Sequence, residues 1–245
     1  MNLNFRLFFI LILVVFTGCS KDIGNRNQTL EATSVSSILS LQLENTQDSG
    51  YPTCNIVTSK TNLDRYAVKN LLQTRALVIC VDNDKFDRYD LKDFLVLKAT
   101  LVLKTGKISF DRYDLKDFAT TGTVYLVAQT GTNFKFDRYD IKDFLNVNMN
   151  VLLKDNDNKF DRYDVKDFLA FSNFQVDIRS SQTKFDRYDI KDFGNISQQN
   201  SSKVNLFIDD SKFDSYDIKD FLALGINVIT EELINPVVAT LHKNK

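Results

Sequence analysis

Residues 86–94 read Phe-Asp-Arg-Tyr-Asp-Leu-Lys-Asp-Phe, and this nine-residue motif recurs along the chain. Copies that vary only between Leu, Ile and Val at the sixth position lie at 110–118, 136–144, 160–168 and 185–193. The copy at 213–221 has Ser215 in place of Arg, and a more divergent copy occupies 63–71. Successive copies are 23 to 28 residues apart, a period typical of stacked repeats. The sequence is therefore that of a repeat protein.

The motif predicts one short helix that begins after its first Asp. Asp87 stands at the N-cap position, and Asp90 lies in the first turn, where a carboxylate interacts well with free backbone amides. Phe86 and Leu91 are spaced as a hydrophobic staple across the cap. The apolar residues of the motif fall on one stripe of the helix, so we expect that stripe to be buried and Tyr89 to point away from it.

The charged residues of the motif fall on the two sides of this stripe. Arg88 and Lys92 lie on one side, and Asp90 and Asp93 lie on the other. If successive helices are parallel neighbours, the basic edge of one helix meets the acidic edge of the next. Each exposed pair contributes only about 0 to 1 kcal/mol, so such pairs would set register more than stability. The alternative is that these charges are simply solvated.

Between the motifs, apolar and polar residues alternate, which is typical of half-buried strands. Three such segments are 147–151, 174–178 and 204–208. A strand, a crossover helix and a second strand that runs the same way form a parallel sheet. The sequence therefore predicts an α/β fold, a solenoid of about seven 23–28-residue strand-turn-short-helix repeats with a parallel sheet. The polar half of the alternation predicts that the other sheet face meets water.

The first 18 residues predict a targeting segment. Arg6 precedes ten uninterrupted apolar residues at 7–16, which are too few to span a bilayer. The following Phe16-Thr17-Gly18-Cys19 resembles the lipobox of bacterial lipoproteins. The resemblance implies that Cys19 becomes the lipidated first residue and that the mature chain is extracytoplasmic, at the outer membrane or cell surface. The alternative is an ordinary secretory peptide with an unrelated Cys19.

These patterns divide the chain into four segments. We expect a signal peptide at 1–18 and a lipidated tether with an N-terminal cap at 19–58. The repeat domain then covers 59–225, and a C-terminal cap and tail cover 226–245.

Cys54 and Cys80 remain once Cys19 is assigned to lipidation. Outside the cytoplasm the two thiols can pair, and closing a loop of this length stabilises the chain by about 3 kcal/mol in the chain-entropy model. The alternative is that both are buried free thiols.

Calcium is the one cofactor that the sequence raises. Residues 155–168 resemble the later part of the calcium-binding loop of dockerins, a variant of the EF-hand. The resemblance implies ligands at Asp155, Asp157, Asp161 and Asp164. Leu153 stands at the first ligand position and Asn158 at the position of the usual Gly, and the other copies lack most of the early ligands. The alternative is that these Asp residues are helix caps and turn residues and that the chain has no cofactor.

A second set of candidates is a row of tyrosines on the outer side of the helices. An exposed aromatic row often binds a partner, whereas the alternative is that each ring packs on the turn of a neighbouring repeat. With Tyr66 of the divergent copy, the row consists of Tyr89, Tyr113, Tyr139, Tyr163, Tyr188 and Tyr216.

Composition excludes several classes of function. The chain has one histidine, His242, so neither a Ser-His-Asp triad nor a histidine metal site can be assembled. It has eight glycines and no glycine-rich phosphate loop after a strand. The net charge of −1 argues against nucleic acid as a partner. The sequence therefore predicts that the protein is not an enzyme.

The predicted function is that of a lipid-anchored, extracytoplasmic repeat protein that presents a repeated surface to an extracellular or envelope macromolecule. Its membrane contact would be the lipid anchor. Two alternatives stay open, a calcium-binding array similar to dockerins and a structural spacer of the cell envelope.

Overall fold

The computed structural model describes residues 50–131, 133–155 and 157–230. The predicted signal peptide and Cys19 lie outside the described residues, as do most of the tether and the C-terminal tail. None of the helices in the described ranges is long and apolar enough to cross a bilayer. Within these ranges, strands and helices alternate in the order β1 Ile56–Val57, α1 Arg65–Thr74, β2 Val78–Val81, α2 Arg88–Val96, β3 Thr100–Lys104, α3 Arg112–Thr121, β4 Val124–Gln129, α4 Arg138–Asn146, β5 Asn150–Lys154, α5 Arg162–Leu169, β6 Phe174–Arg179, α6 Arg187–Asn200, β7 Lys203–Ile208, α7 Ser215–Ala223 and β8 Asn227–Thr230.

The strands form one parallel sheet in which spatial order equals chain order, from β1 to β8. The register aligns the residues that face the helices, since Leu103 pairs with Leu126, Leu126 with Val151 and Val151 with Phe174. We call the sheet face that packs on the helices the inner face and the opposite one the outer face. The predicted alternation of strands and short helices in an α/β fold with a parallel sheet is confirmed.

Each helix begins where its motif places the first Asp. Asp87 has extended backbone angles, and its Oδ1 accepts hydrogen bonds from the amides of Tyr89 and Asp90 at 2.8 and 2.9 Å. The carboxylate of Asp90 in turn accepts a bond from the amide of Asp87, which completes a capping box. The same box recurs in every later helix that the structure describes, and the predicted N-caps are confirmed.

The core lies between the helices and the inner face. The two phenylalanines of each motif, such as Phe86 and Phe94, meet edge to face with ring centroids 5.2 Å apart, and both are buried. The same contact recurs in the other five close copies of the motif at 5.0 to 5.4 Å. Aromatic pairs in this geometry add about 0.5 to 1.5 kcal/mol beyond the area that they bury. The residue before the cap therefore packs on the last residue of its own motif.

The strand predicted at 147–151 lies three residues later, at Asn150–Lys154. Val147 is the C-cap of α4, and Asn148 turns the chain with a left-handed backbone angle φ of 62°. Asparagine tolerates this conformation better than most residues. The alternation of Asn and Val imitates a strand here, but the left-handed turn at Asn148 has to be completed before β5 begins.

Helix α6 is longer than its neighbours because it continues to Asn200. Gly194 makes this extension compatible with the next repeat, since a Cβ built on it would lie 2.8 Å from Cβ of Leu224. A larger residue at this position would push the extended helix away from the segment that follows α7.

The two edge strands of the sheet lie in the segments predicted as caps, because β1 falls within 19–58 and β8 within 226–245. The rest of the predicted C-terminal cap, beyond β8, lies outside the described residues.

Candidate functional site

Consecutive helices are joined by two ion pairs per step, which we call the charge ladder. Arg88 of α2 lies 3.3 Å from Asp114 of α3, and Lys92 lies 3.2 Å from Asp117. Across the described helices the Arg–Asp distances run from 3.3 to 3.8 Å and the Lys–Asp distances from 2.5 to 3.2 Å. The predicted meeting of basic and acidic edges is therefore confirmed, and in every pair the cation belongs to the earlier helix.

The arginine of each motif also contacts the tyrosine that follows it. The guanidinium of Arg88 lies over the ring of Tyr89, 4.7 Å from its centroid, and its Nη2 donates a hydrogen bond to the tyrosine hydroxyl at 2.9 Å. This hydrogen bond and the ion pair with Asp114 raise the pKa of Arg88 above its ordinary value. The arginine is thereby held in one orientation toward the next helix.

The tyrosine row points outward. The tyrosine residues are between 60% and 74% exposed, so they do not pack on the turn of a neighbouring repeat. In the first five positions after Tyr66, the guanidinium of the preceding arginine lies over the tyrosine ring. In the last position, Lys219 lies over the ring of Tyr216 at 5.7 Å from its centroid. The row comprises Tyr66, Tyr89, Tyr113, Tyr139, Tyr163, Tyr188 and Tyr216.

A lysine immediately before the motif makes a third contact between repeats, which the nine-residue pattern missed. Lys135 donates to the backbone carbonyl of Ser109 at 2.7 Å, and Lys159 donates to that of Phe134 at 3.2 Å. Equivalent lysines reach back in the same way at Lys85, Lys184 and Lys212. The signal was in the sequence, because Lys precedes Phe in five of the six close copies.

Turns at the ends of the strands are joined by hydroxyl–carboxylate pairs. Thr58 donates to Asp82 at 2.8 Å, and Ser180 donates to Asp209 at 2.7 Å. Burial of Asp82 favours its protonated form, but hydrogen bonds from Ser59 and Thr58 outweigh burial and hold the pKa of Asp82 below its ordinary value. The pKa of Asp209 is lowered by the same balance, in which Ser181 and Ser180 outweigh burial.

Two of the four aspartates of the predicted calcium loop, Asp155 and Asp157, share the backbone amide of Lys159 as a donor, and the other two form the capping box of α5. Asp155 accepts from the hydroxyl of Thr130 at 2.8 Å, and its burial raises its pKa. Asp157 accepts from the amide of Lys159, Asp161 is the N-cap of α5, and Asp164 completes the capping box and faces Arg138. Within the described ranges, no three His, Cys, Asp or Glu side chains come together as a metal site. The structure does not assemble the predicted ligands into one cluster.

Cys54 and Cys80 are joined in a disulfide, with Cα atoms 5.7 Å apart. Cys80 is fully buried on the outer face of β2, in an apolar cluster with Val102, Val127 and Leu152. Tyr51 and Cys54 pack against this cluster. Residues 50–54, which we call the crossing segment, therefore lie over the outer face, and the disulfide ties them to β2.

The crossing segment corrects the expectation that the whole outer face meets water. At Gly50 the backbone approaches the sheet so closely that a Cβ would lie 2.7 Å from Leu152 and 2.8 Å from Gln175. Val102 is fully buried there, although the alternating pattern places it on the outward side of β3. The physical reason is that this half of the outer face is apolar and is covered by chain from outside the repeats.

A groove of about 430 Å³ opens beside the crossing segment on the outer face. Its floor consists of side chains from neighbouring strands, where Tyr125 of β4 pairs in register with Asn150 of β5, and Gln175 of β6 pairs with Lys203 of β7. Tyr51 closes one side, and residues 172–173, from the turn before β6, also line the groove. Sequence reasoning missed this groove because none of its residues belongs to the repeated motif.

The groove is polar but carries little charge. Asn150 donates to the carbonyl of Val124 at 3.4 Å, and Asn173 donates to that of Met149 at 2.7 Å, so the amide groups are held in place by the backbone. Lys203 is exposed at the rim. Pockets of about 300 to 1,000 Å³ are of the size that takes up small molecules.

No protein-family model matches the chain, and no curated protein matches it. Solved structures of similar arrangement include a HpcH/HpaI aldolase/citrate lyase family protein from Burkholderia cenocepacia, at 10% identity and a TM-score of 0.34 over 74% of this chain and 90% of that one. An N-acetylneuraminate lyase from Mycoplasma synoviae matches at 12% identity and a TM-score of 0.35 over 69% of this chain and 63% of that one. A dihydrodipicolinate synthase from Agrobacterium tumefaciens matches at 10% identity and a TM-score of 0.33, over 71% and 66%.

These neighbours are enzymes, and they contradict two predictions made from the sequence. One is that the repeats present a surface for binding a macromolecule, and the other is that the chain is not an enzyme. The two alternatives to the first prediction, a calcium-binding array and an envelope spacer, are contradicted with it. At these identities and TM-scores the likeness transfers no activity and no substrate to this chain.

Proposed function

We propose that this chain binds a small saccharide in the groove on the outer face of the sheet. The observation that supports this most directly is the lining of the groove. Two tyrosine side chains, several amide side chains and one lysine surround a space of about 430 Å³ beside the crossing segment.

The chemistry of a sugar fits this lining. A sugar ring has faces of C–H groups and a rim of hydroxyls, and the rings of Tyr51 and Tyr125 offer apolar surface with a polar tip. The side chains of Asn150 and Gln175 are amides, which have both donors and an acceptor in one planar group and therefore suit hydroxyls. Lys203 adds a single cation, so a sugar that carries a carboxylate is favoured over its neutral counterpart.

The binding experiment uses the full chain in detergent and a panel of neutral and acidic mono- and oligosaccharides, measured by isothermal titration calorimetry. We expect Tyr125→Ala to weaken the best binder at least tenfold and Lys203→Ala to reduce the preference for the acidic sugar. Tyr139→Ala is the matched control, because that tyrosine is exposed on α4, outside the groove lining. A panel without any binder, or equal affinities of the native chain and the Tyr125→Ala variant, contradicts the proposal.

We further propose that the repeats form an open solenoid. The strand order supports this, because each described strand pairs with its neighbours in the chain, and the pairing runs from β1 to β8 without a β8–β1 step. A closed barrel needs the first and last strands to pair. Small-angle scattering tests the proposal. A compact chain of 245 residues has a radius of gyration of about 18 Å. A solenoid exceeds that value, and a measured radius at or below it argues for closure.

For location, we propose that the mature chain is extracytoplasmic and attached to the membrane through lipidated Cys19. The lipobox resemblance supports this, and so does the disulfide, since such bonds persist in oxidising compartments. Nucleic acid is not expected as a partner, because the ladder cations are already paired with aspartates. Labelling of cells with a radioactive fatty acid tests the anchor, and a Cys19→Ala chain that still takes up label contradicts it.

A further inference from the structure

The charge ladder has a direction. Every arginine and lysine in it reaches to the following helix, and every aspartate accepts from the preceding one, as Arg138 of α4 does to Asp164 of α5 and Lys142 does to Asp167. On an internal helix, the aspartates therefore face the preceding helix and the arginine and lysine face the following one. Among the described helices, α1 has no preceding helix whose cations its acids could meet, and α7 has no following helix whose acids its cations could meet.

The first helix lacks the two acids that would point away from the array. In α1 the two acidic positions of the motif hold Ala67 and Asn70. Its cations, which point inward, are kept, because Arg65 lies 3.6 Å from Asp90 and Lys69 lies 2.5 Å from Asp93.

The last helix shows the opposite change. In α7 the arginine of the motif is replaced by Ser215, while the acids are kept. Asp217 lies 3.8 Å from Arg187, and Asp220 lies 2.5 Å from Lys191. Of the ladder positions on the two end helices, the four inward ones all keep their charge. Three of the four outward ones have lost it, and Lys219 is the exception. The charge is therefore kept where a neighbouring helix is described and is mostly lost where none is.

The outward edges of α1 and α7 would otherwise be complementary. A second copy of the chain that placed its α1 against α7 of the first would repeat the contact that joins neighbouring helices inside the array. Such a head-to-tail contact can be repeated by further copies and leads to rings or filaments. We infer that these two edges are the halves of a latent interface for a second copy of this chain, and that Ala67, Asn70 and Ser215 keep the copies apart.

The test restores the missing charges. We expect the full chain in detergent with Ala67→Asp, Asn70→Asp and Ser215→Arg together to associate, so that its weight-average mass in sedimentation equilibrium rises at least twofold above that of the native chain at about 100 µM. Because the restored pairs are exposed, about 0.5 M NaCl should reverse this association. The matched control carries Ala67→Lys, Asn70→Lys and Ser215→Arg, which sets like charges against each other and should leave the mass at the native value.

A mixture separates this interface from unspecific association. Chains with only Ala67→Asp and Asn70→Asp, mixed with chains that carry only Ser215→Arg, have one complementary junction between them. They should stop at a one-to-one complex, and each variant alone should sediment as the native chain does. Circular dichroism checks that every variant folds. The inference is overturned if the triple variant keeps the native mass, or if the like-charge control associates to the same extent.

Discussion

Arg112 of α3 and Asp140 of α4 face each other across neighbouring repeats, with Nη1 of the arginine 3.4 Å from Oδ1 of the aspartate. The other carboxylate oxygen of Asp140 accepts a hydrogen bond from the backbone amide of Asp137 at 3.1 Å. One side chain therefore caps its own helix and holds the preceding one in register. This double use explains why the position is an aspartate in every close copy of the motif.

The two acids of one helix should differ in their effect on stability. Asp140→Asn weakens a capping box as well as an ion pair, and we expect it to lower the free energy of unfolding by about 1 to 2 kcal/mol. Asp143→Asn removes only the exposed pair with Lys116 at 3.0 Å, which contributes about 0 to 1 kcal/mol. Urea unfolding followed by circular dichroism measures both. Equal losses would mean that the capping box contributes nothing.

Reversing the charges of one helix should lower the stability of the fold more than neutralising them. Reversing Arg138, Lys142, Asp140 and Asp143 together sets like charges against both neighbouring helices, whereas neutralising all four only removes attraction. Because each exposed pair contributes about 0 to 1 kcal/mol, the loss on reversal should be about twice that on neutralisation. Thermal melting of the two variants decides the matter. If their melting temperatures coincide, the ladder charges are merely solvated.

The contributions of Asp155 and Asp209 to the stability of the fold should change with pH in opposite directions. Burial raises the folded pKa of Asp155, so the stability linked to its protonation is present at low pH and is lost as pH rises through that pKa. Asp155→Asn, which keeps an acceptor for Thr130, should therefore be more stable than the native chain at pH 7, and this gain should shrink toward pH 4. The unfolding midpoint in urea across this pH range is the measurement.

The control is Asp209→Asn. Hydrogen bonds lower the folded pKa of Asp209, so its contribution is present above the unfolded value of about 3.9 and is lost as pH falls through the lower folded value. That variant should be less stable than the native chain at pH 7 and equal to it in strong acid. Parallel pH profiles of the two variants would refute the assignment of opposite shifts.

Breaking the disulfide should release the crossing segment. The bond closes a loop of 26 residues, and Cys54→Ser with Cys80→Ser should lower the free energy of unfolding by about 3 kcal/mol in the chain-entropy model. Reductant should shift the urea midpoint of the native chain toward that of the double variant and leave the double variant unchanged. A native midpoint that does not respond to reductant under unfolding conditions contradicts the bond.

The parts of this fold that follow from the sequence are those written within one repeat. The cap at Asp87, the buried Phe94 and the exposed Tyr89 all follow from positions within nine residues of each other. The charge ladder could also be predicted from the sequence. A helix that is basic on one side and acidic on the other forms ion pairs with an identical helix beside it. Repetition turns a local pattern into a contact between repeats.

The features that the sequence did not predict join residues far apart in the chain. Gly50 contacts Leu152 and Gln175, more than a hundred residues away, and no periodicity connects these positions. The groove depends on that contact, so neither its place nor its lining followed from the pattern. The error in the predicted position of β5 has a different cause, because the sequence alternation around Asn148 gives no sign of the left-handed turn there.

The one-way contacts between repeats bear on how the chain can change its length. The forward contact of Arg138 recurs in every internal helix, and the backward contact of Lys135 recurs in every internal repeat except the one at 110–118, which Ser109 precedes. Excising an internal repeat would bring together two units whose edges already match, and duplicating one would insert a unit that matches both neighbours. Recombination between copies can therefore shorten or lengthen the array in whole units, while the two modified end helices keep marking where it stops.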